Sequence, residues 1–375
     1  MEVFGTYKSR IEIKKGGSVE MKKFMSVVAV LISVILVLSG CASSPATQAA
    51  EEPVPGATSA EEPMAQEDVV EVEELTFRFA IPFADTDPAG MMLKKFKTLV
   101  EEASQGKITV EAYPGGTLGD ERAGLESLRT NSIQMAMSSL LADATFFAPE
   151  YNIFSTPYLV KDCAHARRIM DSEIGAEINT YIEENFGIHT LGIMDRGARQ
   201  LTCNKKVEKP EDLAGLKLRL PENEVYIKVW SALGATPVAI ALTEVYTSLQ
   251  TGVVAGQENP LATIVANKFY EVQDYCMITN HIVDMYKIQC SAEWWNGLSD
   301  AQKQIISDCL AEAIEYGNAL VATMESDYQA EMEAAGVQFV ELETSLFKDK
   351  AMDTINDLGA NYFKEGLMES VLAID

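Results

Sequence analysis

The chain has 375 residues, of which 30 are lysine or arginine and 56 are aspartate or glutamate, giving a formal net charge of −26. This length accommodates two domains with sizeable cores. The acidic excess argues against nucleic-acid binding, because nucleic-acid phosphates require lysine and arginine, and against adhesion to an anionic lipid surface. Any site that binds an anion must therefore supply its own local positive charge.

The N-terminal segment has the pattern of a secretory signal. The basic pair Lys22-Lys23 precedes an apolar run that ends at Leu38, and the sequence Leu-Ser-Gly-Cys ending at Cys41 resembles the lipobox of bacterial lipoproteins. A transmembrane anchor ending at a chance cysteine is the alternative, but the run is short for a membrane span. We predict that residues 1–40 comprise an upstream extension and a lipoprotein signal peptide, and that Cys41 carries lipid.

Residues 41–74 are rich in alanine, proline, serine and glutamate and contain few large apolar residues. Such a composition cannot bury enough apolar surface to offset the entropy of ordering. We predict a disordered tether that holds the rest of the chain away from the membrane.

The other five cysteines are widely spaced, and no CxxC motif or Cys/His cluster is present. This spacing argues against a zinc site and against thioredoxin-like chemistry, so no metal and no cofactor is expected. Buried free thiols are the expected state, although the sequence leaves one disulfide open. The five are Cys163, Cys203, Cys276, Cys290 and Cys309.

From Leu75 onward, apolar periodicity predicts strands that alternate with helices. Such alternation is typical of an α/β fold with a parallel sheet, whose ligands bind outside the carboxyl ends of the strands. The glycines at 115–119 match neither nucleotide-binding motif, which argues against nucleotide binding. Strands are predicted at 75–81, 108–112 and 133–137, and helices at 91–103 and 120–130.

A second run of alternating elements begins near Ile188. Strands are predicted at 216–220 and 237–241, and helices at 222–233 and 243–252. A capping box at Ser299–Gln302 then predicts the start of a long helix that ends near Ala335, followed by a short strand at 337–341. A helix of this length can serve as a strut shared by two lobes.

Three polar residues lie where an α/β crevice binds its ligands. Arg219 lies at the end of an apolar strand, two residues before Pro221, and its guanidinium can offer two parallel donors to a carboxylate. Arg199 lies near another strand end, and Asn259 can both donate and accept hydrogen bonds. For each arginine, a structural ion pair with a nearby acidic residue is the alternative interpretation.

Four segments together resemble the solute-binding subunits of tripartite ATP-independent periplasmic (TRAP) transporters, over about residues 75–341. The resemblance implies a two-lobed, periplasmic-binding-protein-like α/β fold of two mixed sheets flanked by helices, with a hinge and a long shared helix. Lobe I would comprise 75–196 and 285–324, and lobe II 197–284 and 325–375. The segments are Leu118–Arg122, Glu244–Gly252, Gly256–Pro260 and Lys268–Gln273.

The same resemblance implies roles for individual residues. The family's main carboxylate-binding arginine falls on Arg219, its second arginine on Arg199 and its pocket asparagine on Asn259. Glu121 and Arg196 are further candidates for ligand binding, although Arg196 could instead be an exposed charge at the hinge. The expected partners are a small organic anion and the membrane permease subunits, so the protein is expected to be extracytoplasmic.

Departures from the sialic-acid binders of the family limit the ligand. Segment 138–142 lacks their acidic residue and arginine, Pro82 replaces their asparagine, and Leu242 stands where an aromatic residue is frequent. Sialic acid is therefore disfavoured, and a sugar acid such as a uronate or aldonate is favoured. A four-carbon dicarboxylate or a keto acid remains the alternative ligand, and a ligand-sensing lipoprotein on the same fold the alternative role.

The sequence contains little that indicates catalysis. Its three histidines are His165, His189 and His281, and none lies in an HExxH motif. No GxSxG motif occurs, and no spacing of carboxylates singles out a catalytic pair. We therefore predict a binding protein and not an enzyme.

Overall fold

The computed structural model describes residues 72–374, so the predicted signal peptide and nearly all of the predicted tether lie outside the described residues. The strands in this range are β1 (Leu75–Ala80), β2 (Ile108–Tyr113), β3 (Met135–Ser139), β4 (Ile188–Ala198), β5 (Gln200–Cys203), β6 (Lys217–Leu220), β7 (Thr236–Ala239), β8 (Gly256–Asn259), β9 (Tyr275–Ile278), β10 (Val283–Ser291) and β11 (Gln338–Glu341).

Helices of six to 35 residues flank the strands. The α-helices are α1 (Pro88–Ala103), α2 (Glu121–Arg129), α3 (Ala142–Phe147), α4 (Cys163–Met170), α5 (Glu173–Phe186), α6 (Glu224–Leu233), α7 (Val245–Gln250), α8 (Leu261–Ala266), α9 (Ala292–Gly297), α10 (Asp300–Ala334), α11 (Thr344–Asn361) and α12 (Leu367–Leu372). Short 3₁₀ helices span Pro149–Ser155, Pro210–Leu213, Leu242–Glu244 and Phe269–Val272.

The strands form two mixed sheets, one in each lobe. The first has the order β2-β1-β3-β10-β4 and the second the order β11-β9-β5-β8-β6-β7. The prediction of a parallel sheet is correct for β1, β2 and β3 but wrong for the whole sheet, because β10 runs antiparallel to both β3 and β4. The chain reaches β10 directly from β9 of the second sheet. A parallel neighbour would require a crossover connection, usually a helix, and none precedes β10, so β10 can run antiparallel.

The chain crosses between the sheets three times, and the first two crossings are neighbours. Only Arg199 separates β4 from β5, and a four-residue segment, 279–282, joins β9 to β10. The Arg199 backbone N–H donates to the Ile282 carbonyl at 2.8 Å, so the two crossings are tied together as a hinge. The predicted lobe boundaries at 196/197 and 284/285 remain predictions of where the rigid bodies divide.

The long helix α10 connects the two lobes. Its predicted capping box is present, since the Ser299 hydroxyl accepts from the Gln302 N–H and the Gln302 side chain accepts from the Ser299 N–H. α10 packs on α1 and β4 of the first lobe and on α8 of the second. Gly317 permits the close approach to β4, because a Cβ there would overlap the sulfur of Met194.

The five described cysteines are free thiols, and burial raises the pKa of each of them. Within residues 72–374, no group of three histidine, cysteine, aspartate or glutamate side chains is arranged to hold a metal ion. No helix in the same range is both long enough and apolar enough to cross a bilayer.

Candidate functional site

A cavity that is partly open to solvent lies between the lobes, at the carboxyl ends of β3, β6 and β8. It brings together all five residues that the sequence proposed for ligand binding, with residues from both sheets around them. The lining residues are Glu121, Ser139, Leu141, Ala142, Thr145, Phe146, Arg196, Arg199, Arg219, Pro221, Glu222, Asn223, Leu242 and Asn259.

Arg219 is buried in this wall without a counter-charge. It occupies the third position of β6, its side chain is 3% exposed, and its Nε donates to the Ile240 carbonyl at 2.8 Å. Among residues 72–374, leaving aside Asp143, whose side chain the structure does not describe, no carboxylate forms an ion pair with it. Its two terminal nitrogens have no hydrogen-bond partner among the same residues. The guanidinium therefore has two donors to offer to a ligand.

Burial lowers the pKa of Arg219 to about 10. The guanidinium is still positively charged at neutral pH, so the lowered pKa reflects the cost of holding a desolvated charge. Each unit of pKa corresponds to about 1.4 kcal/mol, so the folded protein bears a cost of a few kcal/mol at this position. A bound anion would offset that cost.

Arg199 differs from Arg219 because its charge is already neutralised. Its Nε donates to Glu258 Oε2 at 2.5 Å and its Nη2 donates to Glu258 Oε1 at 2.9 Å, which is a bidentate pair. Its Nη1 also donates to Asp284 Oδ2 at 3.2 Å. For this arginine the structural ion pair, left open by the sequence, is present.

Glu258 is fully buried and stays ionised. Burial alone would raise the pKa of Glu258, but the Arg199 guanidinium and a hydrogen bond from His281 outweigh it and hold the pKa at about 2. His281 Nε2 lies 3.0 Å from Glu258 Oε2, and its Nδ1 lies 2.8 Å from the Thr279 hydroxyl. Burial lowers the pKa of His281, so the ring is neutral, donates to Glu258 and accepts from Thr279.

Arg196 also faces the cavity and is also paired. Its Nη1 donates to Asp284 Oδ2 at 2.5 Å, and its guanidinium stacks over the rings of Phe83 and Tyr286 at 4.7 and 5.1 Å. The alternative that Arg196 is an exposed hinge charge is therefore wrong. Its neighbour Asp195 does not line the cavity and instead accepts a hydrogen bond from Arg167 at 2.7 Å.

Glu121 and Asn259 supply polar groups of another kind. The Ser139 N–H donates to Glu121 Oε1 at 2.6 Å, and burial raises the pKa of Glu121. No donor in the described part of the chain reaches its other oxygen, which can accept from a ligand. Asn259 is largely engaged, since it accepts from Arg199 at 2.9 Å and donates to Gln257 at 2.7 Å, which leaves one amide hydrogen.

Sequence reasoning missed the acidic side of the site, which consists of Glu258 and Asp284. A signal for Glu258 was present, because β8 reads Gly-Gln-Glu-Asn and is buried at every position. A carboxylate inside a buried strand requires a charged partner. Asp284 gives the same signal, because it is the second residue of β10, which is also buried at every position.

The charged side chains of the cavity wall divide into a paired group and an unpaired group. Arg196 and Arg199 face Asp284 and Glu258, so these four side chains balance one another. Arg219 and Glu121 remain, each without an ion-pair partner among the described side chains, Arg219 in the wall of the second lobe and Glu121 in the wall of the first. The arrangement fits one carboxylate together with hydrogen-bond donors at the other end of the ligand.

Comparison with known proteins connects this site to a family. The family model described as "Bacterial extracellular solute-binding protein, family 7" matches residues 79–365. A solute-binding protein of Roseobacter denitrificans is 32% identical over 261 residues, covering 70% of this chain and 80% of the relative. The C4-dicarboxylate-binding periplasmic protein of Rhodobacter capsulatus is 31% identical over 271 residues, covering 72% and 81%.

Solved structures agree over the two lobes. A TRAP periplasmic solute-binding protein of Roseobacter denitrificans with bound L-galactonate superposes with a TM-score of 0.74 at 29% identity, covering 80% of this chain and 100% of that protein. A protein of the same description from Citrobacter koseri with bound D-glucuronate superposes with a TM-score of 0.74 at 28% identity, covering 80% and 99%.

Proposed function

The chain belongs to family 7 of the bacterial extracellular solute-binding proteins, the binding subunits of TRAP transporters, and we propose that its cleft captures a sugar acid through Arg219. Proteins of this family are receptors that bind small organic acids and work with a membrane permease. The observation that carries the proposal is the buried guanidinium of Arg219 with two free donors and no counter-charge. A single ligand carboxylate supplies the missing charge.

The opposite wall of the cavity indicates that the rest of the ligand carries hydroxyl groups. The free oxygen of Glu121 can accept from hydroxyls, and the same carboxylate would repel a second carboxylate of the ligand. The relatives with bound L-galactonate and D-glucuronate support this choice, because both ligands combine one carboxylate with several hydroxyls. The Rhodobacter relative supports the alternative, a four-carbon dicarboxylate.

A thermal-shift screen over aldonates, uronates, four-carbon dicarboxylates, keto acids and neutral sugars tests the ligand class. A ligand that binds only the folded protein raises the melting temperature by mass action. We expect the largest shift from an aldonate or a uronate. A shift from neutral sugars or amines, with none from any acid, would refute the anion proposal.

Substitution of Glu121 tests the hydroxyl contact. We expect Glu121→Gln to weaken sugar-acid binding by roughly tenfold or more, the size of a hydrogen bond to a charged group, and not to weaken binding of dicarboxylates. Isothermal titration calorimetry of both ligand classes measures the two effects. The matched control is Glu126→Gln on the same helix, outside the cavity lining, which removes only an exposed pair with Arg129 at 2.6 Å. Equal losses for both ligand classes would contradict the assigned role of Glu121.

The lipid anchor is the second element of the proposal, and it rests on the lipobox that ends at Cys41 and on the composition of the tether. We expect Cys41→Ser to release the protein from the membrane fraction or to leave the signal peptide uncleaved. Cell fractionation with immunoblotting measures this, with Ser44→Ala as the control within the tether. Normal processing and unchanged membrane association of Cys41→Ser would exclude lipidation at this residue.

A further inference from the structure

A cluster of buried polar residues connects the two lobes beside the ligand cavity. Asn223 belongs to the second lobe, between β6 and α6, and lies four positions after Arg219. Its side-chain amide donates to the Thr145 and Ser155 hydroxyls, both at 2.6 Å, and both hydroxyls belong to the segment between β3 and β4 of the first lobe. Asn223 and Ser155 are buried, so these hydrogen bonds are shielded from water.

The hydrogen bonding of this cluster is saturated. Ser155 Oγ donates onward to Asn152 Oδ1 at 2.5 Å, and Thr145 Oγ1 donates to the Leu141 carbonyl at 2.5 Å. The Asn223 Oδ1 accepts from the Tyr226 N–H at 3.1 Å as the N-cap of α6. Both amide hydrogens of Asn223 are therefore used across the lobes, and neither is free for a ligand although the residue lines the cavity.

The cluster also separates two spaces. Thr145 and Asn223 line the ligand cavity on one side and an open groove on the other, where Glu150, Glu222 and Glu224 lie. If the hydrogen bonds of Asn223 broke, the wall between the cavity and this groove would lose its connection. The nearby Arg122–Glu222 pair also joins the lobes, but it is exposed and contributes little.

We propose that Asn223 is a positioning residue that holds the lobes closed and thereby sets the residence time of the ligand. The inference rests on the proposed function, since it requires a ligand in the cavity. Two hydrogen bonds between neutral groups are expected to slow dissociation by roughly thirtyfold, because each contributes about 1 kcal/mol. The association rate depends on the open cleft and should change little.

Asn223→Ser tests this role while preserving the helix cap, because the serine hydroxyl can accept from the Tyr226 N–H. Thr145→Val is the second variant, since it removes an acceptor from the opposite lobe. Stopped-flow measurements with the sugar acid found by screening should show a dissociation rate about thirtyfold higher for Asn223→Ser, with an unchanged association rate and less than additive effects in the double variant. The control is Ser172→Ala, which removes the N-cap of α5 in the first lobe and should leave both rates unchanged.

Dissociation rates of both variants within twofold of the parent, or a change confined to association, would overturn the inference. A parent protein that binds no organic acid would instead refute the proposed function, so the two failures are distinguishable. A lower melting temperature of the ligand-free variants without a faster dissociation would assign Asn223 to folding stability alone and would equally overturn the proposal.

Discussion

Arg219→Met is expected to weaken ligand binding strongly while leaving the ligand-free protein at least as stable as the parent. The ligand carboxylate would lose most of its water in the closed cleft, and without Arg219 it would be buried unpaired. Such a loss costs on the order of 2–5 kcal/mol, which corresponds to roughly thirtyfold to several thousandfold in affinity. Titration calorimetry with the sugar acid measures it.

The stability part of this prediction follows from the missing counter-charge. Burial holds the pKa of Arg219 at about 10, well below its ordinary value, which means that the charge destabilises the empty site. An apolar side chain of similar length removes that cost, so the free energy of unfolding should be unchanged or higher. Urea denaturation of the ligand-free protein measures it.

Arg219→Lys provides the matched comparison. It retains the positive charge but not the planar fork, so it should also bind clearly less tightly than the parent. Binding by Arg219→Met within a factor of about three of the parent would show that Arg219 is not the carboxylate anchor. A variant that fails to fold would instead show that Arg219 supports the lobe.

Arg199→Met is expected to have the opposite profile, a loss of stability. It leaves the carboxylates of Glu258 and Asp284 buried without their shared partner, and removing one member of a buried pair costs about 3–5 kcal/mol. Urea denaturation of the ligand-free protein measures this loss. The double variant Arg199→Met/Glu258→Gln should recover part of it, because the amide carries no charge.

The loss of unfolding free energy caused by Arg199→Met should depend on pH in a defined direction. In the parent, the pKa of Glu258 is held at about 2, so its contribution to stability is full above the unfolded value near 4.5 and is lost as the pH falls toward 2. In Arg199→Met, Glu258 can take up a proton at higher pH and escape its buried charge. The difference in unfolding free energy should therefore be smaller at pH 4 than at pH 7, and an equal difference at both would contradict the assigned pair.

Much of the fold was predictable because local patterns agree with it. Strict alternation of apolar residues marks β1 and β2, and the capping box marks the start of α10. The reversed direction of β10 was not predictable, because it depends on which sheet the chain has just left. No local pattern in residues 283–291 records that origin.

In the candidate site, too, local features were predictable and contacts between distant residues were not. Arg219 could be proposed from its position at a strand end before a proline, which is a local feature. The sequence could not show that Arg199, unlike Arg219, is already paired, because its partner Glu258 lies 59 residues away on β8. Similarly, the hydroxyls that meet Asn223 are 78 and 68 residues away, and only the closed arrangement of the lobes brings them together.

The most direct test of the central claim, that the cleft captures a sugar acid through one uncompensated arginine, compares two ligands of nearly equal shape. Galactonate carries the carboxylate, and galactitol replaces it with a neutral hydroxymethyl group. If galactonate or its closest analogue from the screen binds and the corresponding alditol binds at least about a hundredfold more weakly by calorimetry, the claim holds. If the acid and the alditol bind with similar affinity, Arg219 is not what the cleft uses to capture its ligand.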